Sequence, residues 1–239
     1  DKNGDLTKSN LPVKESTLSI LKRIRNQKNI NLFHPNRHYV LSETSFAFDP
    51  SCLQYPQNSY LDGFWQSEKY FKPVENNIRE DFNFKYELTN NAQKMADRIR
   101  AVNAVCINIR RGFVNNIKER IFHGFLGMDY IKQAIEIILY RVERPHFFVF
   151  SDDIKWCRNN LKIDEPLEFV EHNCAGKKFN NYLQLMIACK HFIIPNSSFG
   201  WWAAWLNQNP DKIVIAPKRW FSIPLKNTRD IIPYGWITI

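Results

Sequence analysis

The stretch A-V-C-I-N-I-R-R-G, residues 104–112, decides the fold class of this chain. Its apolar residues alternate with the two-residue period of a β-strand, and two arginines and a glycine follow the strand directly. A second stretch, F-F-V-F-S-D-D at residues 147–153, repeats the arrangement of an apolar strand with a polar end. The two patterns predict strands over residues 104–109 and 146–150.

Around these strands the apolar pattern changes to the period of a helix. Residues 129–143 predict a helix that Asp129 caps and Pro145 ends. The remaining pattern predicts strands over residues 167–170, 191–194 and 212–216, a short helix ending near 161, and helices over 179–189 and 199–206. Strands that alternate with helices at this spacing favour an α/β fold with a parallel, doubly wound sheet.

The first part of the chain is less regular. Residues 15–27 and 87–100 have helical composition, residues 36–58 are predicted to be irregular, and residues 64–79 predict a helix broken near Pro73. We expect a domain boundary between residues 85 and 100. The predicted division is an amino-terminal region over residues 1–90 and a second domain over residues 91–239.

The composition is that of an ordinary globular protein, with 239 residues of which 44% are hydrophobic and 24% charged. The apolar runs are far shorter than the roughly 20 residues of a membrane span, and residues 1–10 do not resemble a signal peptide. Five cysteines without a C-x-x-C pair argue against a disulfide framework or a zinc site. They favour a reducing compartment, so we expect a cytoplasmic location.

The formal net charge of +9 has three candidate explanations: nucleic acid, an acidic membrane surface or a phosphorylated substrate. The basic residues are spread along the chain, and no RNP, zinc-finger or basic-helix pattern accompanies them, so we expect no nucleic-acid partner. A solvated basic surface explains most of these charges. A phosphorylated substrate and peripheral contact with an acidic membrane, at its inner face, stay open.

Two polar segments at predicted strand ends suit a phosphorylated ligand, because doubly wound folds bind ligands beyond the carboxyl ends of their strands. Arg110 and Arg111 follow the strand over residues 104–109, and one of them could clamp a diphosphate in bidentate fashion. Asn196, Ser197 and Ser198 precede a predicted helix, where hydroxyls and backbone N–H groups form an anion cradle. A surface arginine pair and an ordinary helix cap are the alternatives.

A third polar segment, with Asp152 and Asp153, follows the strand over residues 146–150. Carboxylates at this place could bind ribose hydroxyls, and the alternative is that they cap the next helix. Trp201, Trp202 and Trp205 suggest a platform for stacking a sugar. Their helical spacing beside small apolar residues favours core packing instead.

Five segments in consistent order carry a family resemblance. They are Y-L-D-G-F-W-Q-S-E-K-Y-F at 60–71, I-R-R-G at 109–112, F-V-F-S-D-D at 148–153, P-N-S-S-F-G-W-W-A-A-W-L at 195–206 and I-V-I-A-P-K-R-W-F at 213–221. Read together, they resemble the bacterial and animal α-1,2-fucosyltransferases. The N-S-S-F-x-W-W-A-A-W segment is the most specific of the five.

The resemblance implies a glycosyltransferase that moves fucose from GDP-fucose to a galactoside hydroxyl of a glycan, with inversion and without a metal or another cofactor. It implies two Rossmann-like domains of the GT-B type, the amino-terminal one incomplete here. Arg110 or Arg111 would neutralise the diphosphate as the catalytic group, which suits a leaving group that gains negative charge. The substrate-binding residues would be Asn108, Asp152, Asp153, Asn196, Ser197 and Ser198.

The chain departs from the family pattern at several positions. Asn108 stands where the family has His, and Phe113 follows the R-R-G segment where an Asp is expected. The acidic residue thought to read guanine falls at Tyr182, and Gly200 replaces a Ser. A glycine-rich G-G-x-G-N-Q opening is missing. We expect that the sequence starts partway into a longer protein.

The departures leave the catalytic base and the activity open. An inverting transfer needs a group that accepts the proton of the acceptor hydroxyl. The candidates are Asp62, Glu68, Asp152 and Asp153, and we expect that none of them is essential. The alternatives to a fucosyltransferase are a transferase for another nucleotide sugar and a non-catalytic protein that binds a glycan or a nucleotide.

Overall fold

The computed structural model describes residues 39–56, 59–112, 117–124, 126–222 and 227–239. Contacts between Cα atoms divide the chain into two units, one with residues 1–44 and 49–65, the other with residues 45–48 and 66–239. The helix predicted over residues 15–27 lies outside the described residues.

In the first unit, two short strands pair in parallel, β1 (Tyr39–Ser42) and β2 (Ser59–Asp62). A 3₁₀ turn over Pro50–Gln54 lies between them in sequence, and the Asp49 carboxylate caps it by accepting the Ser51 N–H at 2.9 Å. The prediction that residues 36–58 are irregular is therefore wrong at β1 and at this 3₁₀ turn. Four-residue strands carry too little alternation for the period to stand out, and their pairing partners lie 20 residues apart in sequence.

The second unit is built on a parallel sheet of six strands within the described residues. Their order across the sheet is β5-β4-β3-β6-β7-β8, the 3-2-1-4-5-6 order of a Rossmann fold. The predicted α/β class with a parallel sheet is confirmed. The strands are β3 (Asn103–Ile109), β4 (Pro145–Ser151), β5 (Leu167–Phe169), β6 (His191–Ile193), β7 (Val214–Ala216) and β8 (Ile237–Thr238).

Helices cover both faces of this sheet. Alternate residues of β3 enter different core clusters: Ala104 and Cys106 pack with one, Val105 and Ile107 with the other. This is the two-residue period of a strand that is buried on both faces. The helices are α1 (Glu75–Asp81), α2 (Asn90–Arg100), α3 (Ile117–His123), α4 (Met128–Arg141), α5 (Ile154–Asn160), α6 (Asn180–Ala188) and α7 (Ser198–Leu206).

Three predicted helix starts are wrong by one position, and α7 is one of them, since it begins at Ser198. Helix α4 begins at Met128, and its cap residue Gly127 provides no side-chain hydrogen bond, so Asp129 lies in the first turn instead of capping it. Helix α6 begins at Asn180, because Phe179 has a left-handed backbone that no α-helix accommodates. The predicted break at Pro73 is confirmed, since two 3₁₀ turns, Glu68–Tyr70 and Lys72–Val74, precede α1.

The tryptophans of α7 belong to the core, as their spacing predicts. Trp201 and Trp205 are buried, and their rings stack with centroids 6.1 Å apart. The Trp201 Nε1–H donates to the Ile231 carbonyl at 2.7 Å, and the Trp205 Nε1–H donates to the Glu68 carboxylate at 3.0 Å. Their polar atoms are therefore satisfied inside the protein. Of the helices in the described part of the chain, none combines the length and the apolar character needed to cross a membrane.

Candidate functional site

The candidate site lies where the connections of the sheet change direction. Strands β3 and β6 are neighbours in the sheet, although they are the first and fourth of its strands along the chain. In an open parallel sheet, the crevice at such a switch point lies beyond the carboxyl ends of the strands and is the usual place for a ligand. The R-R-G segment follows β3, and the N-S-S segment follows β6 by two residues.

A cleft of about 400 Å³ opens at this place. It brings together five of the predicted site residues: Asn108, Arg110, Asp152, Ser197 and Ser198. The remaining residues that line it are Ile109, Ser151, Lys178, Phe179, Tyr182 and Phe199.

The carboxylate of Asp152 organises the turn after β3. Its Oδ1 accepts the Arg111 backbone N–H at 2.8 Å, and its Oδ2 accepts the Gly112 N–H at 2.7 Å and a hydrogen of Arg110 Nη1 at 2.8 Å. A Cβ atom on Gly112 would lie 2.8 Å from the same Oδ2, so the turn requires glycine. These charge-assisted bonds fix the backbone of the turn and the direction of the Arg110 guanidinium together.

The two adjacent arginines have different surroundings. The Arg110 side chain is 45% exposed and lines the cleft. The Arg111 side chain is 14% exposed, with its guanidinium carbon 3.7 Å from the centroid of the Trp156 ring and its Nε 3.7 Å from Asp153 Oδ2. Arg111 lines a neighbouring cavity of about 20 Å³, together with Arg120 and Asn196, and Asn108 and Arg110 line both this cavity and the cleft. Arg110 is thus the arginine that a ligand in the cleft would meet.

Asp153 caps the helix that follows β4. Its Oδ1 accepts the Trp156 N–H at 2.9 Å, and its own N–H donates to the Ser151 Oγ at 3.0 Å. Asp153 is the N-cap residue of α5. Of the two roles that the sequence left open, ribose binding and helix capping, the structure shows capping. Asp153 does not belong to the lining of the cleft.

The N-S-S segment divides into a structural residue and two that face the cleft. The Asn196 amide donates to the carbonyls of His123 at 2.6 Å and Trp220 at 3.0 Å, and so ties the end of α3 to the segment after β7. Ser197 is the cap residue of α7, yet its side chain makes no cap hydrogen bond in the described structure. The Ser197 and Ser198 hydroxyls line the cleft beside the first N–H groups of α7, which have no partner inside the helix.

Asn108 lies between the two sides of the switch point. Its amide nitrogen donates to the Phe150 carbonyl at 3.2 Å. Its Oδ1 lies 2.8 Å from the place that a Cβ atom on Gly200 would take. The contact gives a physical reason for Gly200, because a side chain there would collide with Asn108.

A model of glycosyl transferase family 11 matches residues 5–239. The chain belongs to this family. The alpha-1,2-colitosyltransferase of Escherichia coli is 36% identical over 182 residues, which are 74% of this chain and 61% of that protein. The O-antigen biosynthesis glycosyltransferase WbnK of Escherichia coli is 40% identical over 121 residues, 50% of this chain and 40% of that protein.

Galactoside alpha-(1,2)-fucosyltransferase 1 of Plecturocebus brunneus is 28% identical over 155 residues, 61% of this chain and 42% of that protein. The chain therefore spans between about two fifths and three fifths of the length of these curated relatives. No solved structure matches the chain. The resemblance that the five sequence segments carry is confirmed at the level of the family.

Tyr182, which stands where the family 11 pattern predicts an acidic residue, is buried. Its hydroxyl donates to the Val170 carbonyl, and its ring meets Phe150 edge-on with centroids 5.4 Å apart. Burial raises the pKa of this hydroxyl well above its ordinary value, so it stays protonated. Tyr182 therefore contributes an aromatic ring to the lining of the cleft. It has no carboxylate that could accept hydrogen bonds from a guanine base.

Two residues of the cleft were missed from the sequence. Lys178 and Phe179 have left-handed backbones, with φ of 53° and 61°, and both line the cleft. The helix pattern over residues 179–189 concealed Phe179, because a single left-handed residue leaves no trace in hydrophobic periodicity, and Lys178 directly precedes that pattern. The signal that could have found them is Gly176, a glycine just ahead of the expected helix start, which has φ of 71°.

The other two candidates for a catalytic base are engaged elsewhere. Asp62 belongs to β2 of the first unit, where its Oδ2 accepts the Ser42 hydroxyl at 3.1 Å. Glu68 accepts the Trp205 indole N–H, and the Lys72 ammonium lies 3.8 Å from the same oxygen. Glu68 is not among the described residues that line the cleft at the end of β3.

Proposed function

We propose that this chain carries the donor-binding part of an enzyme that transfers fucose from GDP-fucose to a galactoside hydroxyl in an α-1,2 linkage, with inversion. The observation that carries the proposal is the cleft at the switch point, where Asp152 holds Arg110 beside the amino-terminal end of α7. Membership of family 11 and the names of the relatives support the α-1,2 linkage, and the galactoside fucosyltransferase among them supports fucose as the sugar.

The proposed chemistry is a single displacement at the anomeric carbon. The acceptor oxygen forms the new bond to this carbon, the bond to the diphosphate oxygen breaks, and GDP leaves with the electron pair. Negative charge on the diphosphate grows as the bond breaks, so groups that are fixed before the reaction stabilise the transition state most. Arg110, the two serine hydroxyls and the N–H groups of α7 would have this role.

The proton of the acceptor hydroxyl has to leave in the same reaction. Asp152 already accepts three hydrogen bonds, Asp153 caps α5 and Glu68 holds Trp205. These contacts support the view that none of them is a dedicated base. We infer that the proton passes to a group of the acceptor-side region or to solvent.

The wider organisation is proposed from the family resemblance. The six-strand unit would be the nucleotide-sugar domain of a GT-B enzyme, with residues 91–239 in it and residues 1–90 on the acceptor side. The basic net charge supports peripheral contact with the acidic inner face of a membrane from the cytoplasm.

Colitose is a second candidate for the transferred sugar, because a colitosyltransferase is the relative that shares 36% identity over most of this chain. The experiment incubates the purified protein with a galactoside acceptor and either GDP-fucose or the colitose nucleotide donor, and NMR identifies the product linkage. An α-1,2 product with one donor supports the proposal and selects the sugar.

Calorimetry with GDP, UDP and CDP provides the second test, with GDP expected to bind most tightly. Equal or absent affinity for all three nucleotides would contradict the GDP donor. A protein that binds GDP yet forms no product with any donor or acceptor would be the non-catalytic alternative.

A further inference from the structure

The segment that leads into α6 has an unusual backbone. Gly176 has φ of 71°, and a Cβ atom there would overlap the Asn180 Oδ1, so glycine is required. Lys178 and Phe179 adopt φ of 53° and 61° although both carry side chains. Such residues destabilise the folded chain and persist where the surroundings hold them, often at ligand clamps.

The ring of Phe179 contacts two neighbouring rings and is partly exposed. It packs edge-on against Tyr182 with centroids 5.6 Å apart and against His172 at 6.0 Å. The supporting rings are themselves fixed, since the Tyr182 hydroxyl donates to Val170 and a ring nitrogen of His172 lies 2.9 Å from the Ser151 carbonyl oxygen. Even so, Phe179 is 44% exposed and lines the cleft.

The chemistry of the cleft matches the two ends of a nucleoside diphosphate. Arg110, Ser197 and Ser198 offer a cation and hydroxyls to phosphate oxygens. Phe179 and Phe199 offer apolar rings to a planar base. An exposed apolar ring on a strained backbone lowers the stability of the protein without a ligand. Contact between this ring and a nucleotide base would offset the loss of stability.

We propose that Phe179 is the base-stacking residue of the nucleotide site, an inference that rests on the proposed function. Asp152 is the one carboxylate among the described residues that line the cleft, and it is bound to the turn after β3. The base is therefore held mainly by ring stacking. Because a purine presents a larger ring than a pyrimidine, stacking on Phe179 favours GDP over UDP.

Calorimetry on the full chain with two probes, GDP and inorganic pyrophosphate, tests the proposal. Phe179→Ala removes the ring and is expected to weaken GDP binding about 5- to 160-fold, the range of one base–aromatic stack. Pyrophosphate has no base, so its affinity stays within about twofold. Phe179→Trp restores GDP binding, because it returns an aromatic surface.

Two further variants separate stacking from folding. Phe179→Gly removes the ring and relieves the left-handed backbone, so it is expected to weaken GDP equally while its Tm equals or exceeds that of the parent. Tyr140→Ala removes a ring that is 90% exposed on α4, away from the cleft, and leaves both affinities unchanged.

The outcomes distinguish the inference from the function on which it rests. If the parent binds GDP and Phe179→Ala binds it equally well, stacking on Phe179 is wrong while the nucleotide site stands. If the affinities for GDP and pyrophosphate both fall in Phe179→Ala, the residue shapes the cleft and does not stack on the base. This result also overturns the inference. If the parent binds neither probe, the donor site itself is wrong.

Discussion

The Oδ1 atom of Asn108 lies 2.8 Å from the position of a Cβ atom on Gly200. Asn108 and Gly200, two positions where the sequence predicts departures from the family pattern, therefore meet at the switch point. Such a distance is shorter than real Cβ contacts allow, so a side chain at residue 200 requires Asn108 to move.

We expect Gly200→Ser to lower the free energy of unfolding by about 1–3 kcal/mol, because it overpacks this contact. In the Asn108→Ala background the same change should have a smaller effect, and chemical denaturation of the four proteins measures the coupling. Gly127→Ser is the matched control, since Gly127 is an extended cap residue with space around it, where Ser should be neutral or stabilising. Additive effects of the two substitutions would contradict the contact.

Arg110 and Arg111 should respond differently to replacement by Lys. Arg110→Lys keeps the charge and loses the bidentate fork, so we expect a loss of turnover on the order of 10²–10³ with an unchanged Tm. Arg111→Lys weakens the stack on Trp156 and should reduce stability by about 1 kcal/mol. Arg141→Lys, at the exposed end of α4, is the control. A loss of turnover only in Arg111→Lys would reverse the assignment.

No single carboxylate should behave as an essential base. Asp152→Asn should lower GDP affinity and turnover together, because the amide cannot accept all three hydrogen bonds of the turn. Asp62→Asn, Glu68→Gln and Asp153→Asn should keep most of their turnover, and Asn still caps α5 at residue 153. The test measures turnover, and GDP affinity by calorimetry, for each of the four variants. A loss above about a thousandfold with GDP binding unchanged would identify a base.

His191 should make stability depend on pH. Its Nδ1 accepts the Ile213 N–H at 3.1 Å, and burial, with Lys190 adding to it, holds its pKa below the ordinary 6.5. The unfolded chain then binds the proton more readily than the folded one. This contribution to stability is present above pH 6.5 and is lost as the pH falls through the folded pKa.

The measurement is Tm between pH 7.5 and 5 for the parent and for His191→Asn. The Asn oxygen can still accept the Ile213 N–H and does not titrate, so the variant should lose less Tm on acidification. His146→Asn, at a half-buried histidine on β4, is the comparison variant. Equal losses in the parent and His191→Asn would show that His191 is not the group responsible.

The strands around residues 104–109 and 146–150 were predictable because a buried strand has a local signature, alternation or a short apolar run bounded by polar residues. The α/β class followed from the way strands and helices alternate along the chain. The sequence could not give the strand order β5-β4-β3-β6-β7-β8, since pairing joins β3 to β6 across more than 80 residues. Short strands such as β1 and β8 leave no readable period.

The candidate site divides in the same way. The sequence by itself determined which residue types follow the strands, and with them the family, because those segments are local and keep their order. Only the tertiary structure decided that Arg110 faces the cleft, that Arg111 stacks on Trp156, that Asp152 binds the turn and that Phe179 enters the site. Each of these depends either on contacts between residues far apart in sequence or on a single backbone angle. A pattern of residue types along the chain predicts neither long-range contacts nor individual backbone angles.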